Sequence, residues 1–348
     1  MIEVGIGLLQ DLPPARLIEI ARLCEELGYD TLWYANEKFY RDPYIGLAVI
    51  AQSTRTIRIG TYVADPYTLH PALIGVAIST LDELSGGRAI LLLGAGGSGL
   101  FRLGIRRERP MRAIQEAIEV IRRLLRSESV DFRGETVFLD GVRLAYTARP
   151  DIPIYVASRG DQVLTMAGEH ADGVMIATYA TPQGVRHALD RVKIGAQRSG
   201  RQLEDLSILS RVDGWIDSDG QRARDAVRPM VARFLSASYP DRNFVRASGV
   251  EVPPELEVIL ARRNREEATA AAGLVPDELV EAFTWAGTPE QVAGRIASIV
   301  ALGVRRFVFM PHPPPGESIE TGIRAFAQEV MPRLRALLQD EGMISGKA

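Results

Sequence analysis

Short runs of aliphatic and β-branched residues alternate along the chain with longer stretches of helical apolar spacing, a rhythm that predicts parallel βα units. The apolar runs are IEVGIGLL (2–9), TLWYA (31–35), TIRIGTYVA (56–64), RAILLLG (88–94), IPIYVAS (152–158), DGVMIAT (172–178), LSILSRVDGWI (206–216) and RRFVFMP (305–311). Helical spacing follows them from Pro13 or Pro14 to Leu27, near 43–53, over 71–84, from Arg109 to Leu125, and over 161–170, 182–198, 219–237 and 288–302. A closing helix is predicted from about Ser318 to Leu338. Gly28 fits the position just past a helix end, and Pro71 fits a first helical turn.

Two segments break the rhythm. FRGETVFLDGVRLAY (132–146) reads as short strands about an Asp140-Gly141 turn, inside a β-rich insertion near 128–150. A helical, Pro-rich insertion is expected near 240–280. Eight strands, each with its helix, predict a single (β/α)8 TIM barrel across residues 1–348; a doubly wound sheet is the alternative. A chain of 348 residues is long enough to bury such a core.

In a barrel, chemistry gathers at the carboxyl ends of the strands. Asn36 and Glu37 end the second strand, and Tyr62, Val63 and Ala64 end the third, with His70 in the loop that follows. Glu37 suits a proton donor, or else pairs with Arg41 four residues on. His70 is either a proton-handling group or the cap of the next helix. LGAGGSG (93–99) lets a flat ligand approach the backbone at Gly94, Gly96 and Gly97, yet no helix is expected to open there and a purely structural loop competes. Ser158, Arg159, Gly160 and Asp161 lead from the fifth strand into a helix whose amino end can hold a phosphate; Asp161 is the expected N-cap. Thr178 ends the sixth strand.

Composition narrows the classes. Net charge is -3 with both signs mixed, and no basic patch interleaved with aromatics argues for nucleic acid. Basic charge is almost all Arg, since Lys occurs only at 38, 193 and 347. The one cysteine, Cys24, falls in a helical pattern and excludes an intrachain disulfide. His70, His170, His187 and His312 lack partners at ligand spacing, so no metal site is expected. The amino terminus has no signal-peptide pattern and no run is long enough for a membrane span, which predicts a cytoplasmic enzyme.

Six stretches carry a resemblance: IRIGTYVADPYTLHPA, TLDELSGGRAILLLGAGGSG, RPMRAIQEAIEVIRRLL, AGEHADGVMI, GTPEQVAGRI and GVRRFVFMPHP. Together they resemble the luciferase-like monooxygenase superfamily, most of all its branch dependent on coenzyme F420, that of the methylenetetrahydromethanopterin reductases. The resemblance implies a (β/α)8 barrel, usually dimeric, that binds F420 or FMN. It also implies a non-proline cis peptide near Tyr62–Val63, with Asn36, Tyr62, Val63, Ala64, Gly94, Gly96 and Gly97 beside the ring. Ser158, Arg159, Gly160 and Asp161 would match the phosphate-side segment, with Thr178 nearby. The branch commonly carries Asp-His where this chain has Asn36–Glu37, and its reductases carry an acid near the end of the first strand, where this chain reads GIGLLQ.

The implied activity is hydride transfer between deazaflavin C5 and a small electrophile, an imine, enone or carbonyl, with a separate enzyme reducing the cofactor. Glu37 is the first candidate acid and His70 the second. An FMN-dependent monooxygenase, served by a flavin-reducing partner, is one alternative; a non-catalytic cofactor-binding barrel is the other.

Overall fold

Trp33 shows how this sequence builds its sheet. It lies in β2 (Thr31–Ala35), between β1 (Glu3–Leu8) and β3 (Arg58–Tyr62), and is 1% exposed. Its indole needs room that only glycine leaves on the neighbouring strands. A Cβ at Gly60, its partner in β3, would come within 2.3 Å of the indole, and one at Gly5 in β1 within 2.8 Å of its Nε1.

In the computed structural model, residues 1–343 are described. The strands continue with β4 (Ala89–Leu93), β5 (Ile154–Ser158), β6 (Gly173–Ala177), β7 (Ser207–Ile216) and β8 (Arg306–Pro311). The sheet order is Thr284–Gly287, β7, β8, β1, β2, β3, β4, β5, β6, and a further β6–β7 pairing returns the hydrogen bonding on itself. This is the parallel (β/α)8 barrel expected from the sequence. The short strand Thr284–Gly287 escaped sequence reading because it follows the helix Asp277–Phe283 with no turn between them and is too short to show a period.

The main helices are α1 (Pro14–Glu26), α2 (Pro43–Ser53), α3 (Pro71–Ser85), α4 (Pro110–Leu125), α5 (Asp161–His170), α6 (Pro182–Arg198), α7 (Gly220–Ser238) and α8 (Pro289–Val300). The expected closing helix runs over Ile319–Ala325 and Met331–Asp340 with a wider π-type turn over Phe326–Val330 between them. Pro332 has no N–H to continue the i→i−4 ladder, and the backbone widens just before it.

The chain packs as two compact units. One holds Met1–Val4, Ile176–Asp190 and the chain from Leu209 on; the other holds Gly5–Met175 and Arg191–Ile208. In the latter, α5 and the second half of α6 meet backbone to backbone. A Cβ at Gly168 would lie 2.1 Å from the Val192 carbonyl oxygen, and one at Gly195 would lie 1.8 Å from that of Thr165.

The β-rich insertion is a hairpin of Val130–Arg133 and Phe138–Val142, but its turn is not at Asp140-Gly141. The chain reverses at Gly134–Val137, where Gly134 N donates to Val137 O (2.9 Å). The buried Glu116 carboxylate of α4 supplies the reason, since it accepts from the N–H groups of Glu135, Thr136 and Val137 and from the Thr136 hydroxyl. Gly141 sits instead at φ +61 beside a register shift. The Pro-rich insertion folds as short helices at Asn243–Ala247, Pro254–Leu260 and Arg265–Ala270. Among the described residues no helix is long and apolar enough to cross a membrane.

Glu25, at the end of α1, anchors the entry to β3. Its carboxylate accepts from the N–H groups of Arg55 (2.8 Å), Thr56 (2.6 Å) and Ile57 (3.0 Å) and from the Thr56 hydroxyl (3.0 Å). Partial burial works the other way, but these donors lower its pKa from 4.5 to about 2. A depressed folded pKa stabilises the native state above the unfolded value and loses that contribution as pH falls towards the folded one. Glu25→Gln is therefore expected to melt a few degrees below wild type at neutral pH. Melting curves along an acid series should show that gap closing between about pH 4.5 and about pH 2; a gap independent of pH would rule out this anchor.

Candidate active site

The third strand does not run straight to Ala64, as its apolar pattern suggested. Its ladder stops at Tyr62, the Tyr62–Val63 peptide is cis, and pairing resumes at Ala64. Ala64 N donates to Leu92 O (2.8 Å) and Gly94 N donates to Ala64 O (3.0 Å), which fastens the bulge to β4. On its other side Asn36 N donates to Tyr62 O (3.0 Å) and Asn36 Nδ2 to Val63 O (3.0 Å). The second, third and fourth strand ends thus converge as the sequence placed them.

A buried ion pair holds that convergence, and sequence reading missed it. Lys38 Nζ donates to Asp65 Oδ2 at 2.8 Å and to Asn36 Oδ1 at 3.1 Å, with side chains 12% and 1% exposed for Lys38 and Asp65. Asp65 also accepts from the N–H groups of Tyr67 (3.1 Å) and Thr68 (2.8 Å) and from the Thr68 hydroxyl (2.8 Å). The available signal was chemical: a lysine in an arginine-rich chain, and an Asp-Pro directly behind an apolar strand.

Glu37 does not pair with Arg41. The Arg41 guanidinium donates to the carbonyls of Gln10 (3.2 Å) and Asp11 (2.7 Å) instead. Glu37 N donates to Oε1 of the fully buried Gln10 (2.5 Å), so the residue past β1 positions Glu37 through its backbone. The exposed Glu37 carboxylate has no hydrogen bond or ion pair among the described residues. It stands over the glycine loop, where a Cβ on Gly97 would lie 3.7 and 3.8 Å from its two oxygens.

That loop is closely fitted. A Cβ at Gly94 would come within 2.7 Å of Val63, and Gly96 adopts φ +73 with a notional Cβ 2.8 Å from Leu100. A short 3₁₀ turn, Ser98–Leu103, lies behind the glycines, and the next α-helix opens only at Pro110, as expected. His70 is the N-cap of α3, its Nδ1 accepting from Ala72 N (3.2 Å), so the structure gives it the capping role.

β5 lies beside β4, and past its end Ser158 Oγ accepts from Gly160 N (3.0 Å). The cap of α5 is Gly160 rather than Asp161, which is the first helical residue and places a carboxylate in the first turn. His170 turns to Gln115 of α4 (Nε2 to Nε2, 3.1 Å).

In the other unit, Thr178 follows β6 at φ +67 with its hydroxyl donating to Ala177 O (2.7 Å) and its N–H to Arg211 O (3.1 Å). That unit holds a second polar cluster absent from the sequence reading. Asp213 Oδ1 is 2.7 Å from Arg211 Nη2 and 2.6 Å from His312 Nε2. Burial opposes the Asp213 charge, yet Arg211 and His312 outweigh it and hold the carboxyl below its ordinary range. Among the described residues no group of three or more His, Cys, Asp or Glu could hold a metal ion.

Comparison with known proteins places this geometry. The family model for luciferase-like monooxygenases matches residues 1–306. The chain is 32% identical over 328 residues to the 5,10-methylenetetrahydromethanopterin reductase of Methanolobus tindarius, covering 94% of this chain and 99% of that one. It is 31% identical over 337 residues to the reductase of the same name from Archaeoglobus fulgidus, covering 96% and 100%. The structure of the coenzyme F420-dependent tetrahydromethanopterin reductase from Methanopyrus kandleri matches with a TM-score of 0.86 at 27% identity, covering 96% and 99%. The chain belongs to the luciferase-like monooxygenase family, in the branch that holds these reductases.

Proposed function

We infer that the protein is a coenzyme F420-dependent oxidoreductase of the methylenetetrahydromethanopterin-reductase type. The observation that carries this reading is the end-to-end likeness to those reductases, at 32% and 31% identity. The residues present fit a deazaflavin. Gly97 faces Glu37, and among the described residues beyond its chain neighbours only the Glu37 carboxylate comes within 4 Å of a notional Cβ. Among the described residues the Tyr44 hydroxyl, within electrostatic reach of Asp65, is buried without a hydrogen-bond partner, a donor of the kind a ligand or water satisfies.

Bound F420 supplies hydride exchange at C5 of its deazaflavin. The chain's own contribution is to hold the ring and handle the proton. Asn36, the Tyr62–Ala64 bulge and the backbone of Gly94, Gly96 and Gly97 line the ring; Ser158, Arg159, Gly160 and Asp161 lie on the phosphate side. Reduction of an imine, enone or carbonyl consumes one proton with the hydride, and Glu37 is the carboxyl group free to deliver it. The substrate is a small organic electrophile, and a separate cytoplasmic enzyme reduces the cofactor.

Fluorescence titration of the purified protein with F420 and with FMN tests the cofactor. F420 is expected to bind at least about tenfold more tightly, a difference of about 1.4 kcal/mol; preference for FMN would sink the assignment and point to oxygen-dependent chemistry. With an electrophile that turns over, Glu37→Gln should lower kcat by about 10²–10⁴-fold while F420 affinity holds. An unchanged kcat would remove Glu37 from the reaction. The protein is further proposed to act as a homodimer, covering the exposed apolar side chains Ile45 of α2 and Leu73, Val76 and Leu84 of α3. Light scattering in solution should give twice the chain mass of 38.2 kDa, and a monomer at assay concentration would refute it.

A further inference from the structure

Lys38 touches all three strand ends that build the ring side of the site. Its ammonium reaches Asn36 behind β2 and Asp65 behind the β3 bulge. Its stem lies against the loop behind β4, where a Cβ on Gly99 would come within 2.7 Å of the Lys38 Cβ and 2.8 Å of its Cγ. We propose that Lys38 is a positioning residue of the cofactor site, fixing the Asn36 amide and the 62–65 backbone for the acceptor-rich edge of the deazaflavin ring.

The chemistry of the donors leads to this role. An ammonium only donates, so the Asn36 atom facing Lys38 must be the amide oxygen, and the orientation of the amide follows. Its nitrogen is then committed to Val63 O, at 3.0 Å. Asp65 cannot drift, because the backbone of Tyr67 and Thr68 and the Thr68 hydroxyl hold it. Rigidity therefore passes from a buried carboxylate through Lys38 to Asn36 and on to the bulge carbonyl. Asn36 and Asp65 use two of the three ammonium hydrogens, and Val63 O uses one of the two amide hydrogens. The hydrogens left over are one on the ammonium and one on the amide, and such donors suit the carbonyl and ring-nitrogen edge of a deazaflavin.

A structural role alone would be to neutralise Asp65. That role needs only a positive charge near the carboxylate, whereas positioning needs a compact donor at one point. Arginine supplies the charge but spreads its donors over a planar fork. The proposal rests on the F420 reading above, and the variants separate the two. Thermal melts and F420 affinity by fluorescence are measured on wild type, Lys38→Arg and the double variant Lys38→Met with Asp65→Asn, which removes both charges together and leaves no buried ion unpaired. Both variants are expected to melt within a few degrees of wild type. Both should bind F420 about tenfold more weakly, with an altered absorption spectrum of the bound cofactor.

Wild-type affinity and spectrum in Lys38→Arg, or in the folded double variant, would overturn the positioning role and leave the cofactor assignment standing. Failure of the wild-type protein to bind F420 would overturn the cofactor assignment, and the role of Lys38 with it.

Discussion

Asp65 is a carboxylate 1% exposed at the end of a strand, and the site is organised around keeping it charged there. Removing an ion from water costs several kcal/mol even after relaxation, and only a partner with good geometry and filled lone pairs offsets that. Asp65 has both, a lysine at 2.8 Å and donors from its own turn. The demand of one buried charge fixes the path of the chain behind β3, the seat of Lys38 and, through Lys38, the amide of Asn36. The glycine loop then closes on what that path leaves, which is why Gly94 has no room for a side chain beside Val63.

The fold was legible because it rests on period. Each β-branched run and each helical stretch carries its own local signal, so α5 and α6 begin and end where the spacing put them. Features set by a single distant contact were not legible. The hairpin reverses at Gly134–Val137 because Glu116, on another element, captures three successive amides there, and an Asp-Gly pair gave a false turn signal six residues on. The same holds for the site. Asn36, Glu37, Tyr62–Ala64 and the glycines stand at strand ends and could be named from order alone, whereas the bulge in the third strand came only from the family resemblance. Lys38 and Asp65 acquire meaning only when β2 and β3 lie side by side, and Asp213 only when His312 arrives from 99 residues away.

The chain also departs from the branch it belongs to in a coherent way. Where the sequence resemblance called for Asp-His, Asn36 is locked into the bulge by both ends of its amide, a neutral group that does not titrate. Where an acid was expected past β1, the buried Gln10 supports Glu37 through its backbone N–H. The carboxylate at this strand end is thus a single exposed one, supported from behind through its backbone. The bulge, by contrast, is held in shape by its contacts with Asn36, Leu92 and Gly94.

The contact between α5 and α6 reaches beyond packing. Gly168 and Gly195 bring each helix against the other's carbonyl oxygens, at notional distances of 2.1 and 1.8 Å. Two helices touching through main chain cannot slide or rotate by trading rotamers, as side-chain interfaces do. α5 is therefore indexed along its own axis, and its first turn carries Asp161 directly behind the Ser158–Gly160 corner. A single methyl group added at residue 195, on the outer helix, would act as a lever on that corner, so a conservative change far from the glycine loop can shift the start of α5.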